Sequence, residues 1–194
     1  MNAVFSGIEL RDDIPILLNR LGLEGKGIEI GTQAGLYAQV LLGGSMLRKL
    51  CLVDCWDLVE ENDRFRNDSA YSHEKLRELK RKAEERFRCE PRVEIVQSFA
   101  HEFSATVESE SLDFVYLDAA HDEESVAQDL QDWYPKLRKG GVFAGHDYLN
   151  NEPWAPTYVK FGVIEAVSKF RMRIPDHEFY TTPEMIPSWM LIKP

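Results

Sequence analysis

Short apolar segments typical of strands alternate along this chain with segments of helical periodicity, and this alternation limits the possible folds more than any other feature. Strands are predicted at 27–30, 50–53, 92–96, 112–117 and 142–144. Helices are predicted between them from apolar residues three and four positions apart. Such alternation favours an α/β fold, Rossmann-like and doubly wound, with helices on both faces of a mostly parallel sheet.

The C-terminal part of the chain follows a different pattern. Two apolar runs, 177–180 and 189–192, are joined by a short linker that contains two prolines. This arrangement predicts an antiparallel hairpin at one edge of the sheet, which makes seven strands in all. Shorter features are a helix expected near 103–107 and a glycine pair, Gly140-Gly141, expected to end the helix before the fifth strand. We expect a single domain over residues 1–194.

The composition limits which classes of binding partner and which cellular compartment are expected. The chain carries 33 acidic and 23 basic residues, a net charge of −10, whereas nucleic-acid binders more often show a basic stripe. No apolar segment approaches the ~20 residues of a membrane span, and the N-terminal residues do not resemble a signal peptide. The three cysteines make no disulfide framework. We therefore expect a cytoplasmic protein without a nucleic-acid or membrane partner.

A glycine-containing segment leaves the first predicted strand, Glu29-Ile30-Gly31-Thr32-Gln33-Ala34-Gly35. Glycine at positions 31 and 35 lets the backbone approach a ligand closely. Asp54 ends the second strand, where an acid can accept hydrogen bonds from both hydroxyls of a ribose. Taken singly, tight packing of the glycines and helix capping by Asp54 explain these residues equally well.

The combination distinguishes between nucleotide ligands. A dinucleotide-binding loop would have glycine where Gln33 stands and would face a pyrophosphate. Glu29 would repel a diphosphate but suits a cation, and S-adenosylmethionine has an ammonium group, a sulfonium and no phosphate. The segment therefore favours S-adenosylmethionine. A nicotinamide-dependent oxidoreductase and a non-catalytic cofactor-binding protein stay as alternatives.

The fourth and fifth strands each end in an aspartate with a histidine nearby, Asp118 with His121 and Asp147 with His146. Two neighbouring carboxylates repel unless a cation joins them or one is protonated, and oxygen ligands select Mg²⁺, Ca²⁺ or Mn²⁺. An imidazole with a pKa near ~6.5 can instead take a proton from an acceptor hydroxyl. A helix cap at Asp118 and a structural role for His146 are the simpler explanations.

With these motifs the chain resembles class I S-adenosylmethionine-dependent methyltransferases. It is similar to a branch of small stand-alone bacterial enzymes whose fourth and fifth strands end in D-x-x-H and G-H-D-Y. The resemblance runs from about residue 25 to residue 148. It implies the class I methyltransferase fold, S-adenosylmethionine as cofactor, and O-methylation of a small acceptor such as a sugar or another hydroxylated metabolite.

The resemblance also implies roles for individual residues. The catalytic base would be His121, assisted by Asp118. A Mg²⁺ or Mn²⁺ ion would lie between Asp118, Asp147 and His146, and the acceptor pocket would come from the segments 56–72 and 150–157. His73, His101 and His177 are predicted to be surface residues without a role. The cofactor-binding residues would be Glu29, Gly31, Thr32, Gly35, Asp54, Cys55, Trp56, Ser98, Phe99 and Asp118.

Overall fold

Seven strands form one sheet in the computed structural model, which describes residues 3–58, 71–150 and 161–194. The sheet order is β3-β2-β1-β4-β5-β7-β6. The strands are β1 (Lys26–Ile30), β2 (Lys49–Asp54), β3 (Val93–Gln97), β4 (Leu112–Leu117), β5 (Leu137–Gly145), β6 (Glu178–Thr181) and β7 (Trp189–Ile192).

The helices are α1 (Ile14–Arg20), α2 (Leu36–Gly44), α3 (His73–Arg86), α4 (Ala100–Ser104), α5 (Glu123–Trp133) and α6 (Val163–Arg171), with 3₁₀ turns at Ala3–Phe5, Arg11–Asp13 and Tyr134–Lys136. None of these helices is long and apolar enough to cross a membrane. Capping fixes two starts: the Ser72 side chain accepts from the backbone amide of Lys75, and Asp122 accepts from that of Ser125.

The strand pairing confirms the predicted doubly wound sheet with an antiparallel C-terminal pair. β1 to β5 pair in parallel, whereas β7 pairs antiparallel with both β5 and β6. The direction of winding reverses between β1 and β4, which puts a crevice beyond the carboxyl ends of these two strands. Any ligand of such a sheet is expected there.

Alternate residues of β4 face two separate cores. Phe114 and Tyr116 point into an apolar layer formed with α1 and α2, and Val115 points into another formed with α5 and α6. All six residues of β4 are buried, as expected for a strand with helices on both faces. Burial on both faces fixes the register of the strand and therefore the position of the residues that follow it.

Two element boundaries differ from the sequence prediction. β5 starts at Leu137 instead of 142, because the Gly140-Gly141 pair lies inside the strand at a register shift against β4 and does not end a helix. A Cβ on Gly141 would lie 2.9 Å from the carbonyl oxygen of Asp113, so glycine permits the close strand contact. α4 covers Ala100–Ser104, earlier than the predicted 103–107. The polar segments predicted to build the acceptor pocket fall mostly outside the described residues.

Candidate functional site

One row of paired residues crosses the sheet near its carboxyl edge and places the motif residues together. Ile30 pairs with Val53 on one side and with Leu117 on the other, and Leu117 pairs with Gly145. The residue that follows each of these four is therefore at the same edge. These residues are Gly31, Asp54, Asp118 and His146.

Gly31 carries the loop out of the sheet between two other chain segments. Its amide donates to the carbonyl of Val53 at 2.8 Å, and the amide of Asp118 donates to the carbonyl of Ile30 at 2.8 Å. Gly31 has φ +91°, and a Cβ there would overlap the carbonyl oxygen of Asp118. Glycine is required both by the backbone conformation and by the contact with the end of β4.

Asp54 organises two loops at once. Its two carboxylate oxygens accept hydrogen bonds from the backbone amides of Gln33 and Trp56, each at 2.7 Å. Both of these residues are left-handed, with φ 49° and 44°, and the Trp56 indole donates to the Gln33 carbonyl at 2.9 Å. Each oxygen retains a free lone pair, so the carboxylate is still able to accept from a ribose hydroxyl.

Glu29 is a buried carboxyl group that forms no ion pair within the described residues, although the charge of Arg11 acts on it. Glu29 is 2% exposed, and its carboxyl oxygen accepts one hydrogen bond from the Thr32 hydroxyl at 2.7 Å. Burial raises the pKa of Glu29 to about 8, although the Thr32 bond opposes the shift. A cationic group placed beside this carboxyl would favour its ionised form.

A cavity runs along the carboxyl ends of β1, β2, β3 and β4. Seven of the ten predicted cofactor-binding residues line it: Gly31, Asp54, Cys55, Trp56, Ser98, Phe99 and Asp118. The other three do not. Thr32 holds the buried carboxyl of Glu29, and Gly35 precedes α2 in a left-handed conformation. Ala119 and Ala120 line this cavity and also a smaller one beside His121.

At one end of the cavity His121 lies between two carboxylates. Its Nε2 atom is 2.9 Å from an Asp147 oxygen and 3.6 Å from an Asp118 oxygen. The ring stacks on Phe161, with centroids 4.9 Å apart, and the amide of Gly162 donates to the His121 carbonyl at 2.8 Å. The start of α6 therefore covers the imidazole and fixes its position.

The surrounding charges change the acidity of this cluster. Burial alone would lower the pKa of His121, but the close carboxylates of Asp118 and Asp147 outweigh burial and raise it to about 10. Burial alone would raise the pKa of Asp147, but His121 and His146 hold it well below its usual range. These two carboxylates therefore favour the protonated form of His121, so the imidazole is expected to be more basic than an isolated histidine.

The cluster also has the donor atoms of a metal site, in a different combination from the predicted one. Ligand atoms of Asp118, His121 and Asp147 all lie within 4.8 Å of one another. His121 Nε2 approaches Asp147 closely but lacks a hydrogen bond of good geometry within the described part of the chain. His146, predicted as a ligand, lies with Nδ1 3.2 Å from Asp147 and 4.0 Å from Asp118. Two carboxylates and an imidazole fit Mn²⁺ or Mg²⁺.

Comparison with known proteins identifies the family. The profile of a family described as "Methyltransferase domain" matches residues 28–148, which is more than half of the chain. The chain belongs to this methyltransferase family. The matched range contains every motif of the cavity wall and ends at Tyr148. No curated protein matches this chain in sequence.

Solved structures with the same fold include several enzymes. An S-adenosylhomocysteine-bound methyltransferase of Podospora anserina superposes with a TM-score of 0.64 at 16% identity, over 93% of this chain and 76% of the other. An O-methyltransferase of Bacillus cereus in complex with S-adenosylhomocysteine has a TM-score of 0.61 at 16% identity, over 94% and 80%. A spermidine synthase of Thermotoga maritima has a TM-score of 0.53 at 18% identity, over 87% and 52%. At these identities the likeness shows the fold alone.

Arg11 reaches the site of the methyltransferase although no motif marked it. Its guanidinium lies 3.6 Å from an Asp118 oxygen and 4.8 Å from the ring centroid of Tyr37. Its backbone is held at both ends, because its amide donates to Glu184 at 2.7 Å and its carbonyl accepts from the Tyr37 hydroxyl at 2.9 Å. A lone arginine within Leu10-Arg11-Asp12 carries no signal in the sequence that connects it to a strand end about a hundred residues away.

The three histidines expected on the surface differ from one another. His73 is exposed at the start of α3, as predicted. His101 is half-buried and lines the cavity beside Phe99, with ring centroids 6.0 Å apart, so it lies closer to the site than the sequence indicated. His177 is hydrogen bonded to the Tyr134 hydroxyl and does not line the cavity. Three aromatic residues, Trp154, Tyr158 and Trp189, could line an acceptor pocket; the first two lie outside the described residues, and Trp189 is buried and lines the smaller cavity beside His121.

Proposed function

We propose that this methyltransferase transfers a methyl group from S-adenosylmethionine to a hydroxyl group of a small acceptor, such as a sugar or another hydroxylated metabolite. The observation that carries the proposal is the cavity itself, which runs from the acid at the end of β2 to Asp118, and Asp118 belongs to the cluster with His121 and Asp147. The S-adenosylhomocysteine bound to two proteins of the same fold supports this cofactor.

The chemistry of the lining residues suits the three parts of the cofactor. We place the ribose at Asp54, whose oxygens have lone pairs to spare, and the adenine between Trp56 and Phe99. The ammonium and sulfonium groups then lie toward Glu29 and Asp118. Glu29 does not line the cavity. In this proposal Thr32 and Glu29 therefore act indirectly, through the loop that their hydrogen bond holds in place.

In the reaction, an acceptor oxygen attacks the methyl carbon as the carbon–sulfur bond breaks. The products are a methyl ether and neutral S-adenosylhomocysteine, and the acceptor proton must go to a base. We assign this base to His121, positioned by Asp147 and Asp118. Because Asp118 and Asp147 raise the pKa of His121 and favour its protonated form, the imidazole must lose a proton before turnover. The positive sulfonium next to the cluster lowers the pKa of the imidazolium by charge repulsion.

A divalent ion offers a second version of the same function. The fit of the donor set favours Asp118, His121 and Asp147 as the residues that would hold Mg²⁺ or Mn²⁺. When bound, such an ion lowers the pKa of a coordinated hydroxyl. His121 would then be a ligand with no free nitrogen for the proton, so the two versions assign it different roles. His146, which contacts Asp147, would orient that carboxylate in either version.

The alternatives differ in what the cavity binds. A nicotinamide-dependent oxidoreductase is not favoured by the family match, and the buried carboxyl of Glu29 near the loop opposes a diphosphate. A cofactor-binding protein without catalytic activity would bind S-adenosylhomocysteine but would not methylate any acceptor.

The first test is calorimetric titration of the protein with S-adenosylhomocysteine and, separately, with NAD. Binding of S-adenosylhomocysteine alone supports the proposal, and binding of NAD alone overturns it. The second test is methyl transfer from S-adenosylmethionine to a panel of sugars, phenols and hydroxy acids, with and without EDTA. Loss of activity in chelator and its return with Mg²⁺ or Mn²⁺ supports the metal version, whereas full activity in chelator leaves His121 as the base.

A further inference from the structure

Arg11 is a fixed cation at the reacting end of the site, and the methyl transfer described above does not use it. Its guanidinium lies 4.8 Å from the centre of the Tyr37 ring. Its backbone amide donates to Glu184, and its carbonyl accepts from the Tyr37 hydroxyl. The side chain is nevertheless 33% exposed. An arginine that is already held in place and is accessible loses little conformational entropy when it binds an anion.

Two carboxylates lie near the guanidinium but leave donors unoccupied. Asp118 is 3.6 Å away and Asp12 is 3.9 Å away, whereas an N–H···O hydrogen bond spans about 2.7–3.2 Å. A guanidinium has five N–H donors in a planar fork that matches the two oxygens of a carboxylate. The chemistry of Arg11 therefore suits one more anion, and a carboxylate fits it best.

Arg11 and His121 each face a different oxygen of Asp118. One oxygen is 3.6 Å from Nε2 of His121, and the other is 3.6 Å from Nη1 of Arg11. An acceptor whose hydroxyl contacts His121 can therefore bring an acid group to Arg11, across Asp118. The hydroxyl and the acid group would then belong to one small molecule and lie a few bonds apart.

Arg11 lies outside the cavity assigned to the cofactor. Asp118 lines that cavity, but no arginine or lysine does so in the part of the chain that the structure describes. In the displacement the acceptor attacks the methyl carbon from the side opposite the sulfur, so it approaches from beyond the cofactor. Solvent reaches the Arg11 segment, because Leu10 and Met185, which adjoin Arg11 and Glu184 in the chain, are 50% and 76% exposed. Arg11 is therefore accessible to the acceptor.

We propose that Arg11 binds a carboxylate of the acceptor, so that the acceptor is a hydroxy acid such as a uronic acid or a phenolic acid. This inference rests on the proposed function and narrows its acceptor to one charge class. The methyl group goes to the hydroxyl oxygen, the hydroxyl proton goes to the base, and the carboxylate is unchanged in the product. Glu184 is a positioning residue in this arrangement, since it accepts hydrogen bonds from the Arg11 amide at 2.7 Å and from the Thr182 hydroxyl at 2.8 Å.

The test follows labelled methyl groups from S-adenosylmethionine into a cell extract freed of macromolecules, which is then separated by anion exchange into acidic and neutral fractions. The wild type should label the acidic fraction, and the label should resist mild alkali, because a methyl ether is stable there and a methyl ester is not. With the labelled acceptor purified, Arg11→Ala should raise its KM and lower kcat/KM about 10- to 150-fold, the contribution of one hydrogen bond to a charged group.

Two further variants serve as controls. Arg48→Ala removes an arginine that is 77% exposed and pairs with Glu24, and it should behave as the wild type does. Glu184→Ala should raise the acceptor KM by a smaller factor than Arg11→Ala and should add nothing in an Arg11→Ala background, because it acts through Arg11. A Glu184 that only stabilises the fold would add its own loss to that of Arg11→Ala, which contradicts the positioning role.

The opposite results separate the inference from the function on which it rests. Labelling of the neutral fraction alone overturns the inference and leaves the proposed function intact, as does an Arg11→Ala protein with the wild-type KM. A loss of S-adenosylhomocysteine affinity in Arg11→Ala that the decarboxylated analogue does not share assigns the guanidinium to the carboxylate of the cofactor, and also overturns the inference. A wild type that labels neither fraction, or whose label is released by mild alkali, overturns the proposed function itself.

Discussion

Replacing Glu29 by glutamine tests the buried carboxyl beneath the cofactor loop, and its effect on stability can be worked out first. The pKa of Glu29 is raised from 4.5 to about 8, so the ligand-free fold favours the protonated acid. The stability from this group is fully present below the unfolded pKa and is lost as the pH rises toward 8. A shift of this size corresponds to at most roughly 5 kcal/mol, at 1.36 kcal/mol for each pH unit.

Glu29→Gln removes this titration and keeps the shape and the acceptor for Thr32. Thermal unfolding should therefore show that the ligand-free variant is at least as stable as wild type at pH 5 and gains relative to it at pH 8. Cofactor binding should change in the opposite direction. Loss of the carboxylate near the ammonium group should weaken S-adenosylhomocysteine binding by about 1.5–3 kcal/mol, or roughly 10- to 150-fold.

The pH dependence of binding gives an independent measurement. Wild-type affinity for S-adenosylhomocysteine should rise between pH 6 and 8, because ligand binding requires Glu29 to lose its proton, and the Glu29→Gln variant should lose this slope. Methylthioadenosine lacks the amino-acid part and serves as the control ligand, with equal affinity for both proteins. Unchanged affinity and slope in the variant would refute the electrostatic coupling between Glu29 and the ammonium group. A variant less stable than wild type at pH 8 would show that the carboxylate has a structural partner.

Three other substitutions test the remaining parts of the site. Asp54→Ala should weaken S-adenosylhomocysteine binding by about 2–4 kcal/mol and also lower the melting temperature, because the carboxylate holds the amides of Gln33 and Trp56; unchanged calorimetric affinity excludes the ribose contact. His121→Ala should leave that affinity nearly intact and reduce turnover by about 10²–10⁴-fold, and full turnover on a true acceptor contradicts its role. Arg11→Ala should weaken binding of S-adenosylhomocysteine more than of its decarboxylated analogue if the guanidinium contacts the carboxylate; an equal loss for both ligands places Arg11 elsewhere.

Most of the fold was predictable because local patterns and tertiary packing agree. β4 shows this best, since five of its six residues are apolar or aromatic and predict a strand covered on both faces, and all six residues are buried. The boundary of β5 was not predictable in the same way. Gly140-Gly141 has the sequence of a helix stop, but the close contact of Gly141 with the backbone of Asp113 is a tertiary feature without a local signal.

The residues of the candidate site also differ in whether a local sequence pattern predicts them. Residues that directly follow strands were found, because the register of a parallel sheet brings them to one edge. Arg11 was missed, because its position depends on how a distant segment packs. Arg11 lies on an N-terminal segment that is held against the C-terminal hairpin. Glu184 accepts a hydrogen bond from the Arg11 amide, and the Tyr180 hydroxyl donates to the Ile8 carbonyl at 2.7 Å. No spacing rule in one sequence connects these segments.

The reacting end of the cavity must hold a cation in every version of the function. Asp118 and Asp147 both lie within 3.6 Å of the same imidazole nitrogen, and two carboxylates this close are not both ionised without a positive charge between them. Without a metal ion, a protonated His121 supplies that charge between the two carboxylates, and the Arg11 guanidinium adds a second positive charge beside Asp118. A divalent ion would replace the proton, since a coordinating imidazole must be neutral. Metal binding would therefore release a proton from His121, whereas cofactor binding without metal would only lower the pKa of His121. Chelation and the His121→Ala substitution together separate the two cases, because only the metal-dependent enzyme loses activity in chelator while the histidine is intact.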